Sequence, residues 1–293
     1  MNNDKIVVSV IVLTYNHKPF ISQALDGILM QNTSFSYEIL IGDDGSTDGT
    51  REILIEYAEK HPQIRLYMRD ENMGATKNSY DLLLKANGKY HMFCSRWKQE
   101  LGFGCNWVFN SEIVHCVSEK PEGPYIFSNV VLPRRGRQYF DGMNTHNTCI
   151  KYFGGKYYLY YMGTTYGGEI PDQNSVIGDR YLETWNRKRI GLAVAEDIDG
   201  EFTRFDAPLL EPRDCSHWDC TITTNPSVVI KPNGKTYMIY KSRSSCRSPL
   251  QLGVAAADSP DGRFERICNE PILNFADPDM HIEDPFVWFD SER

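Results

Sequence analysis

The chain has 293 residues, 41% hydrophobic and 24% charged, with 22 Gly and 15 Pro; this composition excludes a small disulfide knot, a collagen-like repeat and a disordered chain, and it suffices for one large domain or a pair. The 31 basic and 39 acidic side chains give a net charge of −8, and no Lys/Arg run exceeds three residues, which argues against a nucleic-acid polyanion as the main partner. Seventeen Tyr and 5 Trp suit packed β-sheets and also suit sugar binding, where flat apolar faces meet C–H surfaces.

Residues 6–16 (IVVSVIVLTYN) form a continuous β-branched run of the kind shown by strands covered on both faces. The run ends too soon for a membrane span or a signal segment, so the chain reads as cytoplasmic with no transmembrane segment. Residues 19–31 carry Phe20, Ile21, Ala24, Leu25, Ile28 and Leu29 at the helical period, residues 37–42 (YEILIG) form a second strand, and DDGSTDGT follows. Ser46 or Thr47 is placed to cap a helix over residues 50–60, whose Ile53, Leu54, Tyr57 and Ala58 make an apolar stripe. A third strand over 64–68, a third helix over 75–85 and a fourth strand from 90 to 94 complete a βαβαβαβ series, hence a parallel sheet with right-handed crossovers.

In such sheets ligands bind at the carboxyl ends of the strands. Thr14, Tyr15 and Asn16 follow the first strand, and Asp43, Asp44, Gly45 and Ser46 follow the second. Carboxylates there can accept hydrogen bonds from a base N–H or from ribose hydroxyls, although Asp, Gly and Ser also build ordinary turns. The ordered set VSVIVLTYN, ILIGDDGSTDGT, DENMGATKN and ANGKY closely resembles the nucleotide-sugar half of family 2 glycosyltransferases. The resemblance implies a GT-A (Rossmann-like) α/β half domain over residues 1–94. It further implies that Thr14, Tyr15, Asp43 and Asp44 hold base and ribose, with Lys77 near the phosphates. The family continues into an acidic cluster that binds a divalent cation, Mg or Mn. Here GKYHMFC runs into SRWKQELGFG, and no acidic pair follows Cys94.

Residues 95–293 show no helical period and repeat a different unit. SEIVHCVSEKPEGPY, RIGLAVAEDIDGEF and QLGVAAADSPDGRF are copies of a strand, a short acidic turn and a glycine, with Gly123, Gly200 and Gly262 at periods of 77 and 62 residues. After each comes a loop and then HNTCIKYFGGKYYLYYMG, NPSVVIKPNGKTYMIYKS or EDPFVWFD, with hairpin turns at Gly155-Lys156 and Asn233-Gly234-Lys235. Repeats of this size read as blades of an all-β partial β-propeller. The pattern resembles the five-bladed propellers of family 43-like glycoside hydrolases and neoagaro-oligosaccharide hydrolases, with two complete blades and the start of a third.

Polar residues at blade starts converge on the central funnel of a propeller. These are His146 and Asn147, then Asn225, then His281, Glu283 and Asp284. Glycoside hydrolysis needs two carboxyl groups. Glu283 and Asp284 would point to opposite faces of a strand. Asp284 is the aspartate of the family's EDP motif by resemblance and the first candidate; Glu283 or His281 would support it as proton donor, and Asp141 or Asp219 would supply a second carboxylate. The eight Cys read as mostly buried free thiols, CSHWDC at 215–220 as a loop packing Trp218, Asp277-Pro-Asp279-x-His281 as an acidic loop, and RRGR at 134–137 as a solvated turn.

The two modules together read as a carbohydrate-active protein whose partners are a nucleotide sugar and an oligosaccharide or polysaccharide. The alternative is a catalytically incomplete chimera or truncated product that only binds nucleotide or glycan. The change of character at residues 94–98 without a Gly/Ser/Pro linker, and the end at Arg293, fit that alternative.

Overall fold

The computed structural model describes residues 6, 8–33, 35–86, 88–98, 107–169, 179–273 and 280–290. The chain divides into two compact units, residues 1–91 with 117–126 and residues 92–116 with 127–293.

In the first unit strand and helix alternate as β1 (Val8–Thr14), α1 (Ile21–Leu29), β2 (Tyr37–Asp43), α2 (Thr50–Lys60), β3 (Ile64–Met68) and α3 (Ala75–Leu83). The strands are parallel in the order β1-β2-β3, and Thr14 lies opposite Asp43, so β1 and β2 end level. Ile39, Leu40 and Ile41 of the central β2 are fully buried, which is why its apolar run does not alternate. Right-handed crossovers put α1 and α2 on one face, where Ile21, Leu25 and Leu54 pack with Ile39, Ile41 and Ile64. The other face, that of Leu40 and Gly42, receives α3: Asn78 Nδ2 donates to the Gly42 carbonyl at 2.8 Å. The cap of α2 differs from expectation. Gly49 occupies the N-cap, and Asp48 accepts the Thr50 N–H at 3.0 Å, because Ser46 and Thr47 bond to the neighbouring loop instead.

The expected fourth parallel strand is not in this sheet. β4 (Tyr90–Arg96) joins β5 (Glu112–Ser118) and β6 (Ile126–Val130) in a separate sheet ordered β4-β5-β6. Its side chains explain the choice: Phe93 stacks on His115 with centroids 4.6 Å apart and meets Phe202 edge-on at 5.9 Å, and Arg96 pairs with Glu112 at 2.8 Å.

The second unit then repeats one antiparallel four-stranded meander. The first copy is β7 (Asn144–Phe153), β8 (Lys156–Thr164), β9 (Arg189–Ala195) and β10 (Thr203–Arg204); the second is β11 (Thr224–Ile230), β12 (Thr236–Ser242), β13 (Gln251–Ala257) and β14 (Glu265–Arg266). Gly154 and Gly155, at φ 56° and 83°, turn β7 into β8, one residue earlier than predicted. The unit also holds α4 (Trp107–Asn110) and α5 (Asp179–Asn186), which corrects the helix-free reading. α5 buries Thr184 and Trp185, and two turns are too few to display a period. Residues 280–290, read as the start of a further strand, carry no strand ladder.

β8 is buried on both faces. Leu159 and Tyr161 pack with Ile113, Leu132 and Phe202, while Tyr158 and Tyr160 pack with Val228, Met238 and Tyr240; hence the unbroken YYLYYM run. The repeated acidic turn is closed by a glycine amide in all three copies, Gly123 to Lys120 O, Gly200 to Asp197 O and Gly262 to Ser259 O, at 3.0–3.1 Å, although only Gly123 among them takes a left-handed φ, 85°.

Each meander also carries one buried clamp. Asp141 accepts from Tyr161 Oη (2.6 Å), Arg135 Nε (2.8 Å) and Arg204 (3.2 Å). Asp219 accepts from Tyr240 Oη (2.8 Å), Arg213 Nε (2.6 Å) and Arg266 Nε (2.5 Å). Both tyrosine rings lie against a bare glycine of the adjacent strand, and a Cβ on Gly191 or Gly253 would come within 2.5 or 2.4 Å of the ring. Gly253→Ala is therefore expected to destabilise the unit by about 1–3 kcal/mol, the cost of an overpacked core. An unchanged urea midpoint would show that Tyr240 moves aside freely.

Candidate functional site

The level ends of β1 and β2 place two polar loops side by side. Asn16, at φ 53°, donates its N–H to Ser46 Oγ and accepts the Thr47 N–H on Oδ1, both at 2.8 Å. Asp44 donates its N–H to Thr14 O (2.9 Å), and its carboxylate accepts from Met73 N (2.8 Å) and Gly74 N (2.9 Å), pinning the loop ahead of α3. Gly45, at φ 85°, gives the close turn: a Cβ there would meet Asn72 N at 3.0 Å. Asp43 is fully buried, with Oδ2 accepting from Ser46 N (3.1 Å) and Arg51 Nε (2.7 Å). A cavity of about 220 Å³ opens at this point, lined among others by Thr14, Tyr15, Asp44, Asn72 and Asn78. Thr14 Oγ1, Asp43 Oδ1 and Asn78 Oδ1 are buried and have no hydrogen-bond partner among the described residues. Buried acceptors left unpaired are costly, and a ligand with N–H or O–H groups would satisfy them.

The second unit builds a different site where β7 and β11 begin. Each strand breaks register there, between His146 and Cys149 and between Thr224 and Ser227. Asn147 and Asn225 adopt left-handed φ of 45° and 49°, and Asp284 repeats this with 50°; Asn and Asp tolerate that region best among non-glycine residues. Asn225 Nδ2 donates to Asp284 Oδ1, and Lys241 Nζ pairs with Glu283 at 3.2 Å. Val287 N donates to Ser227 Oγ, Ile282 N to Leu250 O, and Leu250 N to His281 Nδ1, each at 3.0 Å. The left-handed turn at Asp284 cancels the alternation expected of a strand, so Glu283 and Asp284 both engage the β11–β12 hairpin instead of diverging.

His146 Nδ1 lies 2.7 Å from Ser111 Oγ, and its ring stacks on Trp107 at 4.9 Å. Burial first, then the charges of Lys188 and Lys241, lower its pKa to about 4 against the opposing pull of Asp284. It is thus a neutral hydrogen-bonding group at pH 7. The unfolded histidine binds its proton near pH 6.5 and the folded one only near 4. The folded state therefore keeps this stability above pH 6.5 and loses it as the pH falls toward 4. His146→Gln is expected to flatten that part of the stability profile; an unchanged profile in urea melts from pH 7 to 4 would contradict the assignment.

Sequence reasoning missed a cationic group beside His146. Lys188, 2% exposed, sets Nζ 4.3 Å from the centroid of Trp107 and 3.9 Å from that of Trp185, and Arg243 lies 3.7 Å from Trp185. Burial, followed by the charge of Lys241, holds the Lys188 ammonium well below the usual lysine range. A lysine directly ahead of an apolar strand, in NRKRIGLAV, was the available signal.

Residues 9–95 match the model of Glycosyl transferase family 2. An uncharacterized protein of Mycobacterium tuberculosis, Rv1520, is 41% identical over 88 residues, 30% of this chain and 25% of that protein. The chain spans about a quarter of the length of the first curated relatives it matches. Zg3597, a family 117 glycoside hydrolase of Zobellia galactanivorans, aligns at TM-score 0.46 and 21% identity over 62% of this chain and 52% of that one. A thermostable family-43 glycoside hydrolase aligns at TM-score 0.41 and 20% identity over 64% and 53%.

The family 2 segment holds nearly all of the parallel sheet and both of its loops. Thr14, Tyr15 and Asp44 line the cavity, whereas Asp43, fully buried opposite Thr14, and Lys77, exposed on the first turn of α3, are outside the lining. The residues after β4 do not fit the divalent cation that the family resemblance implies. β4 closes in Cys94-Ser95-Arg96, then Trp97 and Lys98, while hard cations need carboxylate or carbonyl oxygen.

Other expectations change as well. Asp141 and Asp219 are 0% exposed and saturated by two arginines and a tyrosine each, so they are clamps and not second catalytic carboxylates. RRGR is solvated only in part: Arg134 and Arg137 are exposed, but Arg135 holds Asp141, and Arg134 donates to Met143 O and Phe109 O. Trp218 packs on Tyr240 at 6.1 Å and donates Nε1 to Asn269 O, as a packing loop requires. The seven described cysteines are free thiols, but none is fully buried; Cys105, Asp277 and Asp279 lie outside the described residues. Among the described residues no helix is long and apolar enough to cross a membrane.

Proposed function

We propose that residues 9–95 bind the nucleotide part of a nucleotide sugar, in a carbohydrate-active chain whose second unit is an incomplete β-propeller acting on a glycan. The observation that carries the first half is the pair of unpaired buried oxygens, Thr14 Oγ1 and Asn78 Oδ1, on residues that line a strand-end cavity of the family 2 segment. These acceptors match base N–H and ribose hydroxyl donors, and the half-exposed Tyr15 ring offers a face to the base. With no acidic pair after β4, this unit by itself supplies binding and not sugar transfer. Calorimetric titration of the full chain with UDP and GDP tests this: saturable one-site binding is expected for one of them, and absence of heat with both would overturn it.

The second half rests on Asp284, which is exposed, held by Asn225 and adjacent to Glu283. In this reading Asp284 is the principal catalytic carboxylate, Glu283 and His281 supply proton transfer, and His146, Asn147 and Asn225 position the sugar. A panel of aryl-glycosides and of agar and arabinan oligosaccharides checks it. Turnover that falls at least about 100-fold in Asp284→Asn is expected, in line with the contribution of a positioned acid or base. Glycan binding without turnover would favour the binding-only alternative.

A further inference from the structure

We propose that the second unit takes an acidic saccharide, and that Lys188 is the anchor for the anionic substituent, a carboxylate or a sulfate. The inference deepens the glycan reading of this unit and rests on it. Lys188 is 2% exposed, yet among the described residues its Nζ has no carboxylate, carbonyl or hydroxyl partner; its contacts are the faces of Trp107 and Trp185. A buried ammonium is costly unless it is paired, and indole faces offset only part of that cost.

The surroundings add positive charge instead of removing it. Arg243 shares the Trp185 ring and, among the described residues, donates only to the neutral oxygens Cys246 O and Asn186 Oδ1 and leaves its buried Nε without a partner. Lys241, 4% exposed, is paired with Glu283, whose side chain is half exposed. Three basic side chains, Lys188, Lys241 and Arg243, therefore gather together, with Glu283 paired to Lys241, in a chain whose net charge is −8. An anion reaching Nζ would give Lys188 the partner it lacks and hold the proton that burial otherwise disfavours. A neutral sugar would leave that ammonium unpaired, so the site discriminates by charge.

The test is calorimetric titration of the full chain with two matched pairs: trigalacturonate against its methyl ester, and a sulfated galactan oligosaccharide against its desulfated form. The two pairs separate carboxylate from sulfate as the source of the charge. In at least one pair the charged member is expected to bind at least tenfold more tightly, with the preference lost in Lys188→Met and Lys188→Gln and retained in Lys188→Arg. The comparison within each pair on the unmutated chain needs no variant to fold. Equal binding of charged and neutral members overturns the inference while leaving the glycan reading in place. A preference that survives in Lys188→Met also overturns it, and absence of binding by any member removes both readings.

Discussion

Asp219→Ala is expected to destabilise the second unit by about 3–5 kcal/mol, the cost of removing one partner from a buried ion pair. The carboxylate is fully buried and answers two guanidinium groups and a phenol at once. Its removal leaves Arg213 and Arg266, each with a side chain 15% exposed, without their anion. Burial pushes the Asp219 pKa up, but the hydrogen bonds from Arg213, Tyr240 and Arg266 outweigh it and hold the carboxyl below its ordinary value. This contribution is therefore full above the ordinary carboxyl pKa and is lost as the pH falls through the folded value. Asp141→Ala should lower stability at pH 7 by a similar amount, since Arg135, Arg204 and Tyr161 repeat the arrangement. Asp206→Ala is the contrast: it removes an ion pair of Arg135 at a side chain 75% exposed and should change stability by less than about 1 kcal/mol. Urea melts at pH 7 decide; equal effects at Asp219 and Asp206 would contradict the clamp.

Asp44→Ala is expected to weaken nucleoside diphosphate binding by about 10- to 100-fold, on the scale of a charged hydrogen bond lost. Asp44 works twice in this account. It lines the cavity, and it holds Met73 N and Gly74 N, so its loss also frees the loop that sets α3 against the site. Asp44→Asn keeps acceptors for one of the two amides and should fall between wild type and alanine. Binding unchanged in Asp44→Ala would place the nucleotide elsewhere.

Much of this was legible in the sequence because local chemistry and global fold agree there. The apolar β2 run and the polar loops at the strand ends are put to the use their chemistry suggests, whereas β1, expected to be covered on both faces, leaves Val8 and Leu13 37% and 36% exposed. β4 was misplaced because a short apolar strand does not encode its partner; Phe93 and Arg96 find theirs in His115 and Glu112 of the next strand and in the distant Phe202. The fates of Asp141 and Asp219 were equally hidden, since a loop aspartate becomes a clamp only when distant arginines fold onto it. Glu283 and Asp284 were assigned to opposite faces by strand alternation, and a single left-handed residue undoes that rule. Lys188 is one charge of the short basic stretch RKR, and its burial between two tryptophans is what the sequence alone does not display.

The most direct measurement is a chemical-shift map of the isotopically labelled full chain during titration with UDP and, in parallel, GDP. Saturating shifts confined to Thr14, Tyr15, Asp43, Asp44, Asn72 and Asn78 are predicted for one nucleotide. An unperturbed spectrum with both, or shifts that bypass the ends of β1 and β2, would contradict nucleotide binding by the family 2 segment.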